Sequence, residues 1–216
     1  MPTLGVKRRT VYVMRSPDLE RVAETQFMIR PTLISALKKH ILTAEGQVTC
    51  PGCSTYFDVW MKSYSDKFFD VGTLIRAAAS VETSLRDYYI RKKGYLNLSQ
   101  LRQDPKYKKN IFQRIMPWHG NDGAIALLKT VNVDINLIPE LSTVQELVLH
   151  RHLYAHNLGV IDDEYITNLK RLTSFDLSTD PKVAAQYPIQ DVVWFEPLGR
   201  LASFIEAVRS FVRALP

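Results

Sequence analysis

A run of apolar residues at three- and four-residue steps extends from Lys67 to Gly94. Its members are Phe68, Val71, Leu74, Ile75, Ala78, Leu85 and one of Tyr88 and Tyr89. This period places them on one side of an α-helix, and Gly94 is a residue suited to end that helix. Because so long an amphipathic helix must bury its apolar side against other elements, the run favours a mainly α-helical fold.

Later segments add further helices to this fold. Thr143 followed by Glu146 matches a capping box, which predicts a helix that starts near Thr143, continues through His156 and is closed by Gly159. Two short helices are predicted at residues 123–130 and 163–172, and a last amphipathic helix carries Leu198, Leu201, Phe204, Ile205, Val208, Phe211 and Val212. Residues 63–216 are therefore expected to form a helical bundle.

The first part of the chain has a different pattern. Residues 1–62 are expected to form a small mixed α/β appendage, with short strands at residues 10–14 and 56–60 and helices between them. Ser16 followed by Pro17 marks the start of the first of those helices. The domain boundary is placed between residues 62 and 63.

The appendage contains both cysteines of the chain in the turn Cys50-Pro51-Gly52-Cys53. This turn resembles one knuckle of a zinc ribbon, in which two thiolates bind one side of a tetrahedral ion. The second half of such a ribbon is missing, so a structural zinc would need His40 or the same cysteines of a second chain. A plain turn with two small buried thiols is the favoured interpretation.

Composition limits where the chain can act. With 216 residues, of which 46% are hydrophobic, it can bury a core. Its longest apolar runs, such as residues 123–128, are too short to span a bilayer. Lys7, Arg8 and Arg9 are not followed by the apolar block of a secretory signal. We therefore expect a cytoplasmic protein without a membrane partner.

The net charge of +6 is concentrated in one part of the chain. Between Arg86 and Arg114 the only acids are Asp87 and Asp104, and aromatic residues are interleaved with the basic ones. Such a surface either tracks a nucleic-acid backbone or is simply a solvated face. The residues expected to contact RNA are Arg86, Arg91, Lys92, Lys93, Lys106, Lys108 and Lys109.

Arg151 and His156 offer complementary chemistry near the end of a helix. A guanidinium binds two phosphate oxygens and counters the charge that develops on phosphorus. An imidazole with a pKa near neutrality can exchange a proton with a hydroxyl or a leaving oxygen. The 2′-hydroxyl of RNA supplies its own nucleophile, so this pair suits RNA cleavage with no cofactor required for catalysis.

The spacing of Arg151 and His156 also sets a geometric condition. Five helical steps turn about 140° around the axis, so the two side chains do not share one face. A twofold axis would bring two arginines and two histidines around one cleft, because an isologous contact places each patch against itself. A homodimer is therefore expected.

The segment at residues 146–162, which includes Arg151, His152 and His156, resembles the Arg-polar-x-x-x-His signature of the HEPN domain family. His152 occupies the polar place that follows the arginine. The predicted long helix and the last helix also resemble the first and last helices of that family. The resemblance covers residues 67–216, and it is closest to small HEPN ribonucleases and abortive-infection proteins.

The resemblance implies a dimeric helical bundle and a metal-independent endoribonuclease that leaves 2′,3′-cyclic phosphate and 5′-hydroxyl ends. It implies that Arg151 stabilises the scissile phosphate and that His156 transfers a proton or orients the substrate. His152 and Asn157 would be supporting polar groups. The chain departs from HEPN toxins that pair with nucleotidyltransferase antitoxins, which have a tyrosine two residues after the histidine where this chain has Leu158.

Some residues retain two interpretations. Glu82 is expected either to pair with Arg86 on its own helix or to support Arg151 and His156 across the bundle. His150 is expected to be a solvent-exposed polar residue, and His152 either that or part of the site. His119 is expected to lie in a turn.

Two functions from different classes follow from these residues. The first is a ribonuclease toxin or anti-phage defence effector that cleaves cellular RNA, with an antitoxin or defence complex as a further partner. The second is a non-catalytic RNA-binding and dimerisation module of a larger defence complex.

Overall fold

A computed structural model of the chain describes residues 57–157, 159–179 and 196–215. The α-helices are α1 (Phe57–Lys93), α2 (Leu98–Gln103), α3 (Ala124–Lys129), α4 (Leu141–Asn157), α5 (Asp163–Thr173), α6 (Glu196–Gly199) and α7 (Leu201–Arg213). Short segments of 3-10 helix lie at Ile111–Gln113, Pro117–Asp122, Ile135–Leu137 and Leu177–Thr179. No β-strand occurs within these ranges, and the mainly α-helical prediction is confirmed for them.

Helix α1 begins ten residues before the start that the sequence pattern indicated. It includes residues 57–60, so the strand predicted at residues 56–60 is wrong where the structure describes it. An alternating pattern over only five residues is a weak strand signal, and residues 57–71 contain no glycine or proline that would prevent a helix from extending backward.

The predicted end of α1 at Gly94 is confirmed. Gly94 has φ of 71°, in the left-handed region that favours glycine. Its N–H donates to the carbonyl of Arg91 at 3.0 Å, and the N–H of Tyr95 donates to the carbonyl of Ile90 at 3.0 Å. These two bonds form a Schellman motif, which stops the helix at Lys93.

The chain divides into two compact units, Met1–Arg76 and Ala77–Pro216, and the division falls inside α1. The strand predicted at residues 10–14, the helix expected after Pro17 and the turn with Cys50 and Cys53 lie outside the described residues. The appendage therefore stays a prediction.

In the unit from Ala77 onward, α4 is the central helix. It packs against both α5 and α7. Every residue from Val144 to His150 is buried, which is unusual for a helix that contacts solvent on one face. Helix α7 buries Leu201, Phe204, Ile205, Val208 and Phe211, so its predicted amphipathic pattern is confirmed for these residues. Of the other two predicted members, Leu198 lies in α6 and Val212 is half-buried.

The start of α4 differs from the prediction. The helix begins at Leu141, and the N–H of Val144 donates to the carbonyl of Glu140 at 2.9 Å, so Thr143 is already the third helical residue. Glu146 is buried and contacts Arg200 and His150. The capping box is therefore wrong, because the carboxylate that was expected to cap the helix is used to join elements inside the fold.

Hydrogen bonds to Asp104 and packing of the 3-10 segments hold the loops around α2 and α3. Asp104 is buried between α1 and this region, and its carboxylate accepts hydrogen bonds from the hydroxyls of Tyr89 at 2.6 Å and Tyr95 at 3.0 Å. It also accepts the backbone N–H of Lys106 at 2.9 Å. Helix α3 packs against the 3-10 turns on either side of it.

Over the described ranges, no helix combines the length and the apolar character that crossing a membrane requires.

Candidate functional site

The end of α4 passes from the core to the surface within two turns. Leu153 and Tyr154 are buried, whereas residues 155–157 are exposed. Arg151 and His152 are half-buried, and His156 is exposed. The predicted catalytic pair therefore lies where a rigid, fully packed helix becomes accessible to a ligand, which favours precise positioning of both side chains.

His152 and His156 are stacked on each other. They lie one helical turn apart, their ring centroids are 5.7 Å apart, and the ring planes differ by 22°. The structure thus brings together one supporting residue and one catalytic residue of the sequence analysis. It does so through the i, i+4 spacing of an α-helix.

Burial is the main cause that lowers the pKa of His152 to about 4, and the electrostatic effects of Arg151, His156 and His119 act in the same direction. His152 is therefore neutral at physiological pH. The neutral ring of His152 therefore offers His156 a flat, uncharged surface and does not repel a positive charge in the site.

The sequence analysis did not include His119 in the candidate site. It lies in the 3-10 turn Pro117–Asp122, as a turn residue was expected to, and its Nδ1 accepts the backbone N–H of Met116 at 3.1 Å. Burial lowers its pKa, and the charge of Arg114 acts in the same direction, although the carbonyl of Arg114 favours the protonated form. The segment just before this turn contacts α4 directly, because the side-chain amide of Gln145 donates to the carbonyl of Ile115 at 2.7 Å.

The same turn carries an aromatic residue with a cationic neighbour. The guanidinium of Arg171, on α5, lies 4.9 Å from the ring centroid of Trp118. The rings of Trp118 and His119 are 6.2 Å apart. No local pattern predicts this contact, because the two partners come from segments more than fifty residues apart and neither segment has a motif of its own.

His150 corrects an expectation. It was expected to be exposed, but its side chain is fully buried. Its Nδ1 lies 2.7 Å from the hydroxyl of Tyr165, and its Nε2 lies 3.2 Å from Oε1 of Glu146. Its burial follows from the packing of α4 against both α5 and α7, because Tyr165 of α5 and the ring of Phe204 of α7, at 5.4 Å, both contact the imidazole.

The contacts of His150 define its tautomer. Burial lowers its pKa more than Glu146 raises it, so the ring is neutral. The Glu146 carboxylate can only accept, and we therefore assign the proton to Nε2. Nδ1 then accepts the hydroxyl proton of Tyr165. The ring is fixed in orientation one residue before Arg151.

Asn157 has a structural contact. Its side-chain amide donates to the carboxylate of Asp162, across the loop that joins α4 to α5. Asp162 also accepts the backbone N–H of Tyr165 at 2.7 Å and so caps α5. Asn157 therefore helps to fix the loop that follows His156.

Three of the predicted RNA-contacting residues are engaged with tyrosines of α1. The cationic groups of Arg91 and Lys92 lie 5.4 Å and 5.3 Å from the ring centroid of Tyr88. Lys93 lies 5.7 Å from the ring centroid of Tyr89, and its Nζ is 3.9 Å from the Asp104 carboxylate. Part of the basic segment thus stabilises the end of α1 through cation–π contacts.

Two other residues of the basic segment differ in their surroundings. Lys108 forms an ion pair of 2.6 Å with Asp122, and both side chains are largely exposed. The side chain of Lys106 is exposed.

Another part of the basic segment forms a cleft of about 450 Å³. The residues that line it come from α1, from α2 and from the segment that follows α2: Glu82, Arg86, Arg102, Tyr107, Lys109, Asn110 and Phe112. The cleft therefore combines three cations, one carboxylate, two aromatic rings and one amide.

Glu82 has neither of its expected partners within the described residues. Its carboxylate accepts a hydrogen bond from the side-chain amide of Gln113 at 3.0 Å. Arg86 instead has its Nε 3.8 Å from Oδ1 of Asp87. Glu82 and Arg86 nevertheless face the same cleft.

Cys50 and Cys53 lie outside the described residues, and the zinc question stays a prediction. Within the ranges that the structure does describe, no group of three or more histidine, cysteine or acidic side chains is arranged around a common point. Comparisons of the chain with protein-family models, with curated proteins and with solved structures gave no match.

Proposed function

We propose that this chain is a HEPN-type endoribonuclease that cleaves cellular RNA and acts as a toxin or an anti-phage defence effector in the cytoplasm. The observation that supports the proposal most directly is the exposed His156 ring, which stacks at 5.7 Å on the neutral ring of His152, the residue that follows Arg151. A fixed imidazole and a permanent cation at the accessible end of a buried helix are the groups that metal-independent cleavage of RNA requires.

In the proposed reaction, the 2′-oxygen of one nucleotide forms a bond to the adjacent phosphorus while the bond from phosphorus to the 5′-oxygen breaks. His156 accepts the proton of the 2′-hydroxyl, and the imidazolium of a second copy gives a proton to the leaving 5′-oxygen. Arg151 binds the phosphate oxygens that gain charge. The products carry a 2′,3′-cyclic phosphate and a 5′-hydroxyl.

The proposal includes a homodimer, since Arg151 and His156 point away from each other on one helix. A twofold contact at the exposed end of α4 would supply both groups from two chains. An antitoxin or a larger defence complex would restrain the activity. Sedimentation of the purified chain at several concentrations measures the oligomeric state.

Cleavage of total RNA in a buffer that contains a chelator tests the activity. We expect the wild-type chain to produce 5′-hydroxyl ends and Arg151→Ala and His156→Ala to lose cleavage by at least about a hundredfold. Arg209→Ala is the matched control, because it removes one guanidinium that pairs with Glu206 on the surface of α7. Equal cleavage by wild type and His156→Ala would contradict the proposal.

A second function, a non-catalytic RNA-binding and dimerisation module, is favoured by the basic cleft at Arg86, Arg102 and Lys109. That cleft contains no histidine and can bind a phosphate without reacting with it. RNA that is bound but left intact by the wild-type chain would support this second function over the first.

A further inference from the structure

We propose that the cleft lined by Glu82, Arg86, Arg102, Tyr107, Lys109, Asn110 and Phe112, named here the α1–α2 cleft, binds a single phosphorylated nucleotide. The ligand is one phosphate next to one flat base. It can be either a free nucleoside monophosphate or a nucleotide unit of single-stranded RNA, because both contain these two groups. The proposal does not depend on the nuclease chemistry, because Arg151 and His156 do not line the cleft.

The cationic residues of the cleft have few carboxylate partners. Arg102 and Lys109 are exposed, and neither forms an ion pair within the residues that the structure describes. In contrast, neighbouring lysines are already neutralised: Lys108 lies 2.6 Å from Asp122, and Lys129 lies 3.4 Å from Asp134. Arg102 and Lys109 are therefore available to an anionic ligand in the cleft.

Arg86 strengthens this argument. Its Nε is buried and has no hydrogen-bond partner in the part of the chain that the structure covers, and its contact with Asp87 is long, at 3.8 Å. A guanidinium binds a phosphate through two parallel hydrogen bonds, and the attraction between their opposite charges strengthens both bonds. A phosphate in the cleft would supply acceptors that the described residues do not.

The aromatic wall of the cleft suits a base. Tyr107 is half-buried, and its ring lies 6.4 Å from the buried ring of Phe112 with an angle of 36° between the planes. Phe112 is in turn 6.0 Å from Tyr89, so this wall rests on the core of α1. A base can stack on the accessible ring of Tyr107, and stacking of this kind tolerates any base.

Polar groups that can read a base edge complete the cleft. Asn110 adopts a left-handed backbone conformation with φ of 64°, which asparagine tolerates better than most residues. Its side-chain amide offers one acceptor and two donors, and the Glu82 carboxylate, held by Gln113, offers a fixed acceptor.

The size of the cleft indicates that it binds one nucleotide and not a long stretch of nucleic acid. A volume of about 450 Å³ falls in the lower part of the range for small-ligand sites and holds one nucleotide. It does not hold a duplex, whose recognition spans several base pairs. The ligand is therefore a mononucleotide or one unit of a single strand.

The test measures binding of two probes to the full chain: AMP by calorimetry, and a fluorescent ten-nucleotide single-stranded RNA by anisotropy. The double variant Arg151→Ala/His156→Ala serves as the parent, so that cleavage cannot consume the RNA. We expect Lys109→Ala and Arg102→Ala to weaken binding about tenfold each. Tyr107→Ala should weaken binding to a similar degree. Tyr107→Phe should bind as the parent does, because the aromatic ring remains.

Lys129→Ala is the same-charge control and should change binding less than twofold, because Lys129 lies outside the cleft and pairs with Asp134. Lys108→Ala should weaken binding less than Lys109→Ala does, although the two lysines are adjacent. Binding of AMP in competition with the RNA identifies a free nucleotide as a ligand, and binding of the RNA alone identifies a unit of a strand. Either result supports the site.

Equal losses from Lys109→Ala and Lys129→Ala would overturn the proposal, since they would show general attraction between a basic chain and an anion. Failure of the parent to bind either probe would overturn it as well. These outcomes are separate from the nuclease proposal, because cleavage is measured on the wild-type chain and depends on residues outside the cleft.

Discussion

The guanidinium of Arg200 donates to Oε2 of Glu146 at 2.9 Å and so joins the start of α7 to the middle of α4, 54 positions earlier in the chain. The other carboxylate oxygen of Glu146 lies 3.2 Å from Nε2 of His150. Burial opposes the charge on Glu146, but the hydrogen bonds from His150 and Arg200 outweigh it and lower the pKa of the carboxyl. One buried carboxylate thus holds the helix that presents Arg151.

Replacing Glu146 by alanine removes both of these contacts at once. It leaves a polar His150 ring inside the core and a guanidinium without its carboxylate, so we expect Glu146→Ala to lower the free energy of unfolding by about 3 kcal/mol. Urea unfolding followed by circular dichroism measures the change.

Glu206→Ala is the control for that experiment, because Glu206 also pairs with an arginine, Arg209 at 2.8 Å, but is exposed on α7. Exposed pairs contribute little, so the expected loss is below about 0.5 kcal/mol. Similar losses in the two variants would show that the buried network does not stabilise the fold.

The sequence predicted those helices whose signal lies in the spacing of neighbouring residues or in a single helix-ending glycine. The three- and four-residue steps predicted α1 and α7, and Gly94 marked the end of α1 because a left-handed residue was needed there. The strand predicted at residues 56–60 failed where the structure describes it, because five alternating residues are a weak signal. The cap at Thr143 failed because Glu146 is bound by His150 and by the distant Arg200.

The candidate site was predictable to the same extent. The contact of His152 with His156 follows from their spacing on one helix. The burial of His150 and the position of the turn that carries His119 do not, because they depend on packing against α5 and α7 and on a turn that ends at Asp122, well before α4 begins at Leu141. The basic segment was identified from its charge, but which of its cations face a common cleft is decided by three-dimensional packing.

The low pKa of His152 predicts a loss of stability in mild acid. The pKa is about 4 in the folded chain, against an ordinary value of 6.5, so between these values the unfolded chain binds more protons. The contribution of His152 is therefore complete above pH 6.5 and is lost as the pH falls from 6.5 toward 4, by about 2 kcal/mol.

The measurement for His152 is the free energy of unfolding of wild type and His152→Gln from pH 7.5 to pH 4. We expect the wild-type curve to fall more steeply than the variant curve below pH 6.5, because glutamine does not titrate. His119 and His150 remain in both chains, so the difference between the curves reports His152. Parallel curves would contradict the low pKa.

Tyr89 and Tyr95 provide a matched pair of deletions around Asp104. Both hydroxyls donate to the same carboxylate oxygen, at 2.6 Å from Tyr89 and 3.0 Å from Tyr95, but only Tyr89 is fully buried. Burial, assisted by the Asp104 contact, raises the pKa of Tyr89 well above its ordinary value. We expect Tyr89→Phe to cost about 1.5 kcal/mol and Tyr95→Phe about 0.5 kcal/mol, as measured by urea unfolding.

The Asp104 contact has a pH dependence of its own. Burial raises the pKa of Asp104, but the hydrogen bonds from Tyr89, the Lys106 backbone and Tyr95 together lower it below its ordinary value. Its stabilisation is therefore present above that ordinary value and is lost as the pH falls below it.

A Tyr95→Phe loss larger than the Tyr89→Phe loss would show that burial does not decide the strength of these bonds.

Gly123 tests whether the turn that carries His119 has room for any side chain. Its φ of −106° is ordinary, so the need for glycine comes from space: a Cβ at this position would lie 2.7 Å from the carbonyl oxygen of Arg114 and 2.9 Å from Cβ of His119. The same carbonyl already accepts the N–H of Ala124 at 2.9 Å, so it cannot retreat without losing that bond. We expect Gly123→Ala to cost about 2 kcal/mol and to displace His119.

Gly72→Ala is the matched control for this prediction, because a Cβ there has no atom within 4 Å and Gly72 lies inside α1. Alanine is the better helix former, so the control should gain up to about 1 kcal/mol of stability. Proton resonances of the His119 ring should shift in Gly123→Ala and stay unchanged in Gly72→Ala. A Gly123→Ala chain with full stability and an unmoved His119 ring would mean that the turn relaxes freely, and His119 could then not be held near His152 by close packing.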